Sequence, residues 1–159
     1  MSLRGYVVVW VVLTILLGYE SFALNHLPDY SFLAFLKLHF PDFKSLNLSP
    51  LSGRPISLFY GWAGIGIICI TNFYILRKRI PLLYKWGSLR GWLDFHIFCG
   101  MLGPTFVIFH TNFKVGGLVA ISFWSMIIVA VSGIVGRYFY AQVLRKKGDL
   151  ERDILAVEM

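Results

Sequence analysis

The chain has 159 residues, of which 57% are hydrophobic, 17% aromatic and only 14% charged. Soluble domains carry about 25% charged residues, and here the apolar residues also form long uninterrupted blocks, which indicates a bilayer as the solvent. The net charge of +7 does not indicate nucleic-acid binding, because the basic residues flank the apolar blocks, where they anchor helices against lipid headgroups. The composition therefore excludes a soluble globular domain.

Four apolar blocks are long enough to cross a hydrocarbon core, which needs about 20 residues. The first follows Arg4 and has the character of a signal anchor, which makes it the first transmembrane helix. The sequence therefore predicts an all-α membrane protein in which residues 1–159 form one transmembrane domain, a four-helix bundle. The predicted spans are 6–24, 56–76, 92–110 and 115–138.

The distribution of basic residues predicts the orientation of the bundle. Alternate crossings place eleven of the 15 Lys and Arg residues on one side of the membrane, including the cluster Arg77-Lys78-Arg79. Only Lys37, Lys44, Arg54 and Lys114 lie on the other side. Basic residues are enriched in cytoplasmic segments, so both termini and the central loop are predicted to be cytoplasmic. A compact chain of this topology suits the inner membrane of a bacterium.

The outer loop, residues 25–54, carries turn or helix-start signals at Pro28-Asp29-Tyr30-Ser31 and at Pro41-Asp42. Between them, apolar residues recur at helical spacing, so we expect a short amphipathic helix on the outer surface. The tail, residues 141–159, is basic at Arg145-Lys146-Lys147 and is interpreted as a helix that leaves the membrane along anionic headgroups or docks a cytoplasmic partner.

Two of the four histidines, His96 and His110, lie fourteen residues apart on the third predicted helix. Fourteen helical steps return to within about 40° of the starting direction and advance about 21 Å, so both imidazoles face one side near opposite membrane surfaces. Gly100 and Gly103 follow on the same face. Imidazole binds haem iron, and glycine lets a flat porphyrin approach the backbone. The alternative is that the histidines sit at the interface and the glycines serve helix packing.

This pattern, together with Gly61-Trp62-Ala63-Gly64 and Ser132-Gly133-Ile134-Val135-Gly136-Arg137-Tyr138, resembles the ligand helix and flanking segments of b-type membrane cytochromes, including ferric-reductase-like transmembrane domains. The resemblance covers about the last two thirds of the chain. It implies a helical bundle that holds one or two b haems and passes electrons across or along the membrane.

The chain departs from that family in its second axial ligands, which such cytochromes usually supply from another transmembrane helix. His26 and His39 are both predicted on the outer side with His110, so either is a candidate partner for His110. His96 has no histidine partner, and an inner haem there would be five-coordinate or would take a ligand from a neighbouring subunit. Met101 and Met126 are the alternative thioether ligands.

Three charged residues lie near the predicted spans, and two of them, Glu20 and Arg137, allow more than one interpretation. Glu20 is interpreted as a solvated interfacial acid, with proton exchange with a quinone as the alternative. Asp94 is interpreted as a favourable charge at the start of the third span. Arg137 is a candidate partner for a haem propionate or a lipid phosphate, with snorkelling to the headgroups as the alternative.

The sequence favours two functions. The first is a haem-binding membrane subunit that relays electrons between quinol and a redox partner, such as a periplasmic cytochrome, beside other membrane subunits. The chain contains no GxGxxG-type loop and is too short for its own flavin or nicotinamide domain, so it is predicted to be a non-catalytic subunit rather than a complete reductase. The second is a haem-free structural subunit of a larger membrane complex.

Overall fold

The computed structural model describes residues 3–40, 47–49, 51, 53–114 and 116–157. Within these residues all regular structure is helical, with short 3₁₀ turns at Pro28–Tyr30 and Pro81–Lys85. The α-helices, in chain order, are α1 (Leu3–His26), α2 (Phe32–His39), α3 (Pro55–Thr71), α4 (Phe73–Arg79), α5 (Leu89–His110) and α6 (Val119–Val157).

Four helical segments of the described chain are long and apolar enough to cross a membrane: α1, α3 continued by α4, α5 and α6. The prediction of an all-helical, multi-pass membrane protein with four spans is therefore confirmed. Helix α2 occupies the part of the outer loop where the amphipathic helix is predicted. Its position on the membrane surface and the cytoplasmic location of the termini stay predictions.

The helices extend past the predicted spans at several ends, α6 as far as Val157, and they depart from the predicted spans in two further ways. The second span is interrupted at Asn72, which separates α3 from α4. The fourth helix begins at Val119 rather than at residue 115. The reason is Gly117, whose φ of +72° is a left-handed conformation that is incompatible with a right-handed α-helix. Residue 115 and the predicted turn at Pro41-Asp42 lie outside the described residues.

Helix α5 is the centre of the bundle, since α3, α1 and α6 each pack on it. The α3–α5 contact is the most extensive, and a buried cluster lies at one end of it. This cluster joins Leu24 of α1, Ile56 and Tyr60 of α3, and Phe109 of α5. A hydrogen bond from the Trp10 indole to Thr105 Oγ1, 3.0 Å long, also links α1 to α5.

Close approach of α3 to α5 depends on glycine. A Cβ placed on Gly103 would lie 2.6 Å from Ile68 Cγ1, and one on Gly64 would lie 3.3 Å from the Gly103 carbonyl oxygen. A Cβ on Gly61 would lie 2.8 Å from His110 Nδ1. Small residues at membrane helix interfaces let backbones approach in this way, so these three glycines serve packing.

Helix α6 packs differently. It is 39 residues long, and Phe123 is its one buried residue in the described chain. Its firmest link to α5 is an ion pair in which Arg137 Nη2 lies 3.0 Å from Asp94 Oδ1, with the two side chains 15% and 7% exposed. Asp94 lies in the second turn of α5, whose N-cap is Ser88, so its role is to bind α6 rather than to start its own helix.

Glu20 anchors α2 to α1. Its Oε1 accepts hydrogen bonds from Ser31 Oγ at 2.6 Å and from the Leu33 amide at 3.1 Å, while its Oε2 accepts from the Phe32 amide at 2.9 Å. The carboxylate therefore satisfies amides at the start of α2 that no helical carbonyl can reach. Glu20 is buried, so its interpretation as a solvated interfacial acid is wrong.

Candidate functional site

His96 is held in one orientation by the neighbouring helix. Its Nδ1 lies 2.9 Å from the carbonyl oxygen of Thr71, and its ring packs beside Tyr74 with the ring centroids 5.2 Å apart. A carbonyl oxygen only accepts, so Nδ1 must carry the proton in this hydrogen bond. In the neutral imidazole the Nε2 lone pair is then available for a metal, with the carbonyl fixing both tautomer and ring direction.

The helix break at Asn72 makes the Thr71 carbonyl available. In a continuous helix that oxygen would accept from the amide of Ile75. Here the Ile75 amide donates to the Asn72 carbonyl instead, at 3.0 Å. The interruption between α3 and α4 therefore releases one acceptor from the backbone ladder, and His96 uses it. The polar Asn72 in an apolar stretch is the only sequence signal for this arrangement.

His96 lines a cavity of about 930 Å³, which we call the inner cavity. Its walls come from the end of α3 and from α4, α5 and α6. Gly100 and Pro104 of α5 face it, opposite Gly133 and Gly136 of α6. A Cβ on Gly100, Gly133 or Gly136 would meet nothing within 4 Å. These glycines therefore widen the space between α5 and α6 instead of bringing the helices together.

Other candidate site residues predicted from the sequence also line the inner cavity. Met126 of α6 contributes to the wall, and so does Arg137, whose guanidinium pairs with Asp94. Lys78 of α4 and Tyr140 of α6 also line it. The structure thus brings His96, Gly100, Met126 and Arg137 around one space.

His110 makes the same kind of hydrogen bond in different surroundings. Its Nδ1 lies 2.7 Å from the carbonyl oxygen of Ser57, and Ser57 Oγ donates to the His110 carbonyl at 2.8 Å. The ring lies against Gly61, at the close α3–α5 contact. The cavity recorded beside Ser57, Tyr60 and Phe109 measures about 10 Å³, which is far below the size of a cofactor site.

The remaining histidines lie on the surface and contact their own helices. His26 Nδ1 is 3.3 Å from the Phe22 carbonyl, and its ring stacks on Phe22. His39 Nδ1 is 3.0 Å from the Phe35 carbonyl, and its ring packs on Phe35. No recorded hydrogen bond or ring contact in the described chain joins either of them to His110.

The structure divides the predicted site into two parts. Gly103, predicted beside Gly100 on a haem-facing stripe, lies in the α3–α5 contact and faces Ile68. Thr71, Ser57 and Tyr74 contact the two histidines and were not singled out from the sequence.

In the part of the chain that the structure describes, no group of three or more His, Cys, Asp or Glu side chains is placed to hold a metal ion. An axial haem ligand, in contrast, is a single side chain.

Comparison of this chain with protein-family models, curated proteins and solved structures finds no match.

Proposed function

We propose that the chain is a membrane subunit that binds one b-type haem in the inner cavity, with His96 as an axial ligand, and relays electrons between quinol and a redox partner. The observation that supports it most is the hydrogen bond of 2.9 Å between His96 Nδ1 and the Thr71 carbonyl at the wall of a cavity of about 930 Å³. Metal-bound histidines characteristically donate their second ring N–H to such an acceptor, which makes the ligand nitrogen more basic.

The cavity suits a large flat group. Its volume lies within the range of about 300–1,000 Å³ that is typical of ligand and cofactor sites. Most of its lining is apolar, and the glycines of α5 and α6 leave their backbones accessible to a ring. The buried Ile97 and the half-buried Leu93 would shield this side of the site from water, and a dry surrounding tunes the potential of a redox group.

Charged groups at the rim provide partners for propionates. Arg137 donates from one guanidinium nitrogen to Asp94 and keeps further N–H donors, while Tyr140 adds a hydroxyl beside it. A haem would supply the one-electron chemistry itself. The chain supplies the ligand, its orientation, the apolar walls and the charge at the rim.

Within the described chain, the second axial ligand has one candidate on the wall of the inner cavity. Met126 is the thioether on the cavity wall, whereas His26, His39 and His110 do not line it. We assign His110 to the α3–α5 contact, because its ring lies against Gly61 and Ser57. One haem per chain follows, and its iron is either five-coordinate or bound by Met126 or by a neighbouring subunit.

Haem quantification on the purified complex tests the proposal. We expect about one haem per chain as the pyridine haemochrome, loss of this signal in His96→Ala, and retention in the matched variant His110→Ala. Met126→Leu then reports the second ligand by its effect on the reduced spectrum. Absence of haem from the wild-type complex, or loss of the signal in His110→Ala but not in His96→Ala, would reject the assignment.

A haem-free structural subunit is the second candidate, and α6 favours it. Apart from Phe123, its side chains are left partly or fully uncovered by the chain, as in a helix that packs against other subunits. A complex that assembles with this chain but contains no haem assigned to it would support this function over the first.

A further inference from the structure

A second cavity adjoins the inner cavity at the same end of the bundle. It measures about 410 Å³ and lies between the start of α5 and the α6 segment that follows Arg137. Three arginines line it, and we call it the arginine vestibule: Arg90 of α5, and Arg137 and Arg145 of α6. Tyr140, Ala141 and Leu144 complete the α6 side.

The vestibule has a strong excess of positive charge. Among the described residues no acidic side chain lines it, and one of its three arginines, Arg137, is neutralised by Asp94. Arg90 and Arg145 are exposed, and neither forms an ion pair within the described part of the chain. Two guanidinium groups are therefore left to bind an anion, and their forked N–H groups match the geometry of a phosphate.

The vestibule also lies where lipid headgroups are expected. Tyr138 and Tyr140 mark the end of the apolar part of α6, and aromatic residues of this kind sit at the membrane–water interface. Besides its arginines, the vestibule has apolar lining that includes Leu93 of α5 and Leu144 of α6. A site with guanidinium groups at the surface and apolar walls is complementary to an anionic amphiphile rather than to a free ion.

We propose that the arginine vestibule binds an anionic phospholipid of the surrounding leaflet. Its phosphate is held between Arg90 and Arg145, and an acyl chain follows Leu93, which lies about one turn further into the predicted span than Arg90. Basic pockets between transmembrane helices bind anionic headgroups in this way. The site does not depend on haem in the inner cavity. The competing occupant is a haem propionate, because the inner cavity shares Tyr74, Arg137 and Tyr140 with the vestibule.

Lipid binding to the purified protein, measured by native mass spectrometry with added phosphatidylglycerol or phosphatidylcholine, tests the proposal. We expect a preference for phosphatidylglycerol, and the double variant R90Q/R145Q should weaken its binding by about 30-fold, since each arginine near an anionic surface contributes about 1 kcal/mol. The variant K146Q/K147Q removes the same charge from neighbouring residues that do not line the vestibule, and should bind phosphatidylglycerol nearly as wild type does.

The variant R90K/R145K keeps the charge but loses the forked donors, so we expect intermediate binding. An equal loss in K146Q/K147Q would show diffuse attraction to the membrane and would overturn the proposal. So would unchanged lipid binding in R90Q/R145Q, whether its haem content is normal or reduced. A reduced haem content with unchanged lipid binding would assign the arginines to propionates. A wild-type thermal midpoint for each variant confirms that the bundle has folded.

Discussion

The two ends of α5 show how one helix face serves two purposes. His96 and His110 lie on the same face, and each imidazole donates from Nδ1 to a backbone carbonyl of α3, that of Thr71 or that of Ser57. At the His110 end, α3 lies so close that a Cβ on Gly61 would touch the ring. At the His96 end, α6 stays apart and leaves a cavity of about 930 Å³.

This difference shows that glycines in one membrane helix can have opposite structural roles. Gly103 and Gly64 bring two backbones together, because the helix that faces them is in contact. Gly100 and Gly133 face open space, where their missing side chains add to a cavity. The spacing of residues along one helix determines which face each residue lies on. Whether that face packs closely or lines a cavity depends on the position of the neighbouring helix.

The largest effect on stability is expected from the Arg137–Asp94 ion pair, which joins α6 to α5 at the end of the bundle that contains the inner cavity. Asp94→Asn would leave the Arg137 guanidinium, whose side chain is 15% exposed, without its partner, at a cost of about 3 kcal/mol. The thermal midpoint in detergent should fall, and adding Arg137→Gln should recover part of the loss. Asp149→Asn is the matched control, since Asp149 is exposed and has no recorded ion pair. Equal midpoints for the two single variants would contradict the role of the pair.

The close contact between α3 and α5 at Gly103 predicts a somewhat smaller effect on stability. Gly103→Val would force a side chain against Ile68, and overpacking of this kind costs about 2 kcal/mol. Gly66→Val, on the facing helix but with nothing within 4 Å of its Cβ, controls for the helix propensity of valine. The thermal midpoint of Gly103→Val should be clearly lower than that of Gly66→Val. If they unfold together, α3 and α5 are not in contact at Gly103.

The hydrogen bonds of Glu20 predict a local effect of about 1 kcal/mol in Glu20→Gln, because amides bind a charged acceptor more strongly than a neutral one. The change should appear as hydrogen exchange about fivefold faster at the amides of Phe32 and Leu33, with the bundle otherwise unaffected. Asp29→Asn, on the exposed turn before α2, should leave these rates unchanged. Equal rates in the two variants would show that Glu20 does not hold α2.

The smallest effect on stability is expected at Gly100. A Cβ there meets no atom within 4 Å, so in Gly100→Val the free energy of unfolding of the haem-free protein should change by less than about 1 kcal/mol, the usual size of a helix-propensity effect. The valine side chain would nevertheless enter the inner cavity, and haem per chain should fall. Gly18→Val, at an open position on α1, should leave haem unchanged. Normal haem content in Gly100→Val would place the haem elsewhere.

Hydropathy and charge predicted the four spans, because the bilayer imposes a minimum length of apolar sequence that is visible without any knowledge of packing. The shared face of His96 and His110 was also predictable, since it depends only on helical geometry. The different fates of Gly100 and Gly103 were not. They depend on which of α3 and α6 faces each residue and at what distance.

The role of Thr71 was hidden for a related reason. A threonine side chain gives a sequence signal, but the group that holds His96 is a backbone oxygen, and its availability depends on the break at Asn72. Glu20 illustrates the same limit. Its position near the end of α1 was visible in the sequence, but the two amides that donate to it belong to α2, twelve and thirteen residues further along the chain.

Helix α6 continues without interruption for 39 residues, or about 58 Å, which is roughly twice the thickness of a hydrocarbon core. From Arg137 to Val157 it extends about 30 Å beyond the ion pair with Asp94, and this pair would be the pivot of any tilt of α6 against α5. A tilt of about 5° at that pivot would displace the far end by about 2.6 Å. A change in what fills the space between α5 and α6 would therefore be magnified at the tip, where a rigid docking partner would register it as a shift in position.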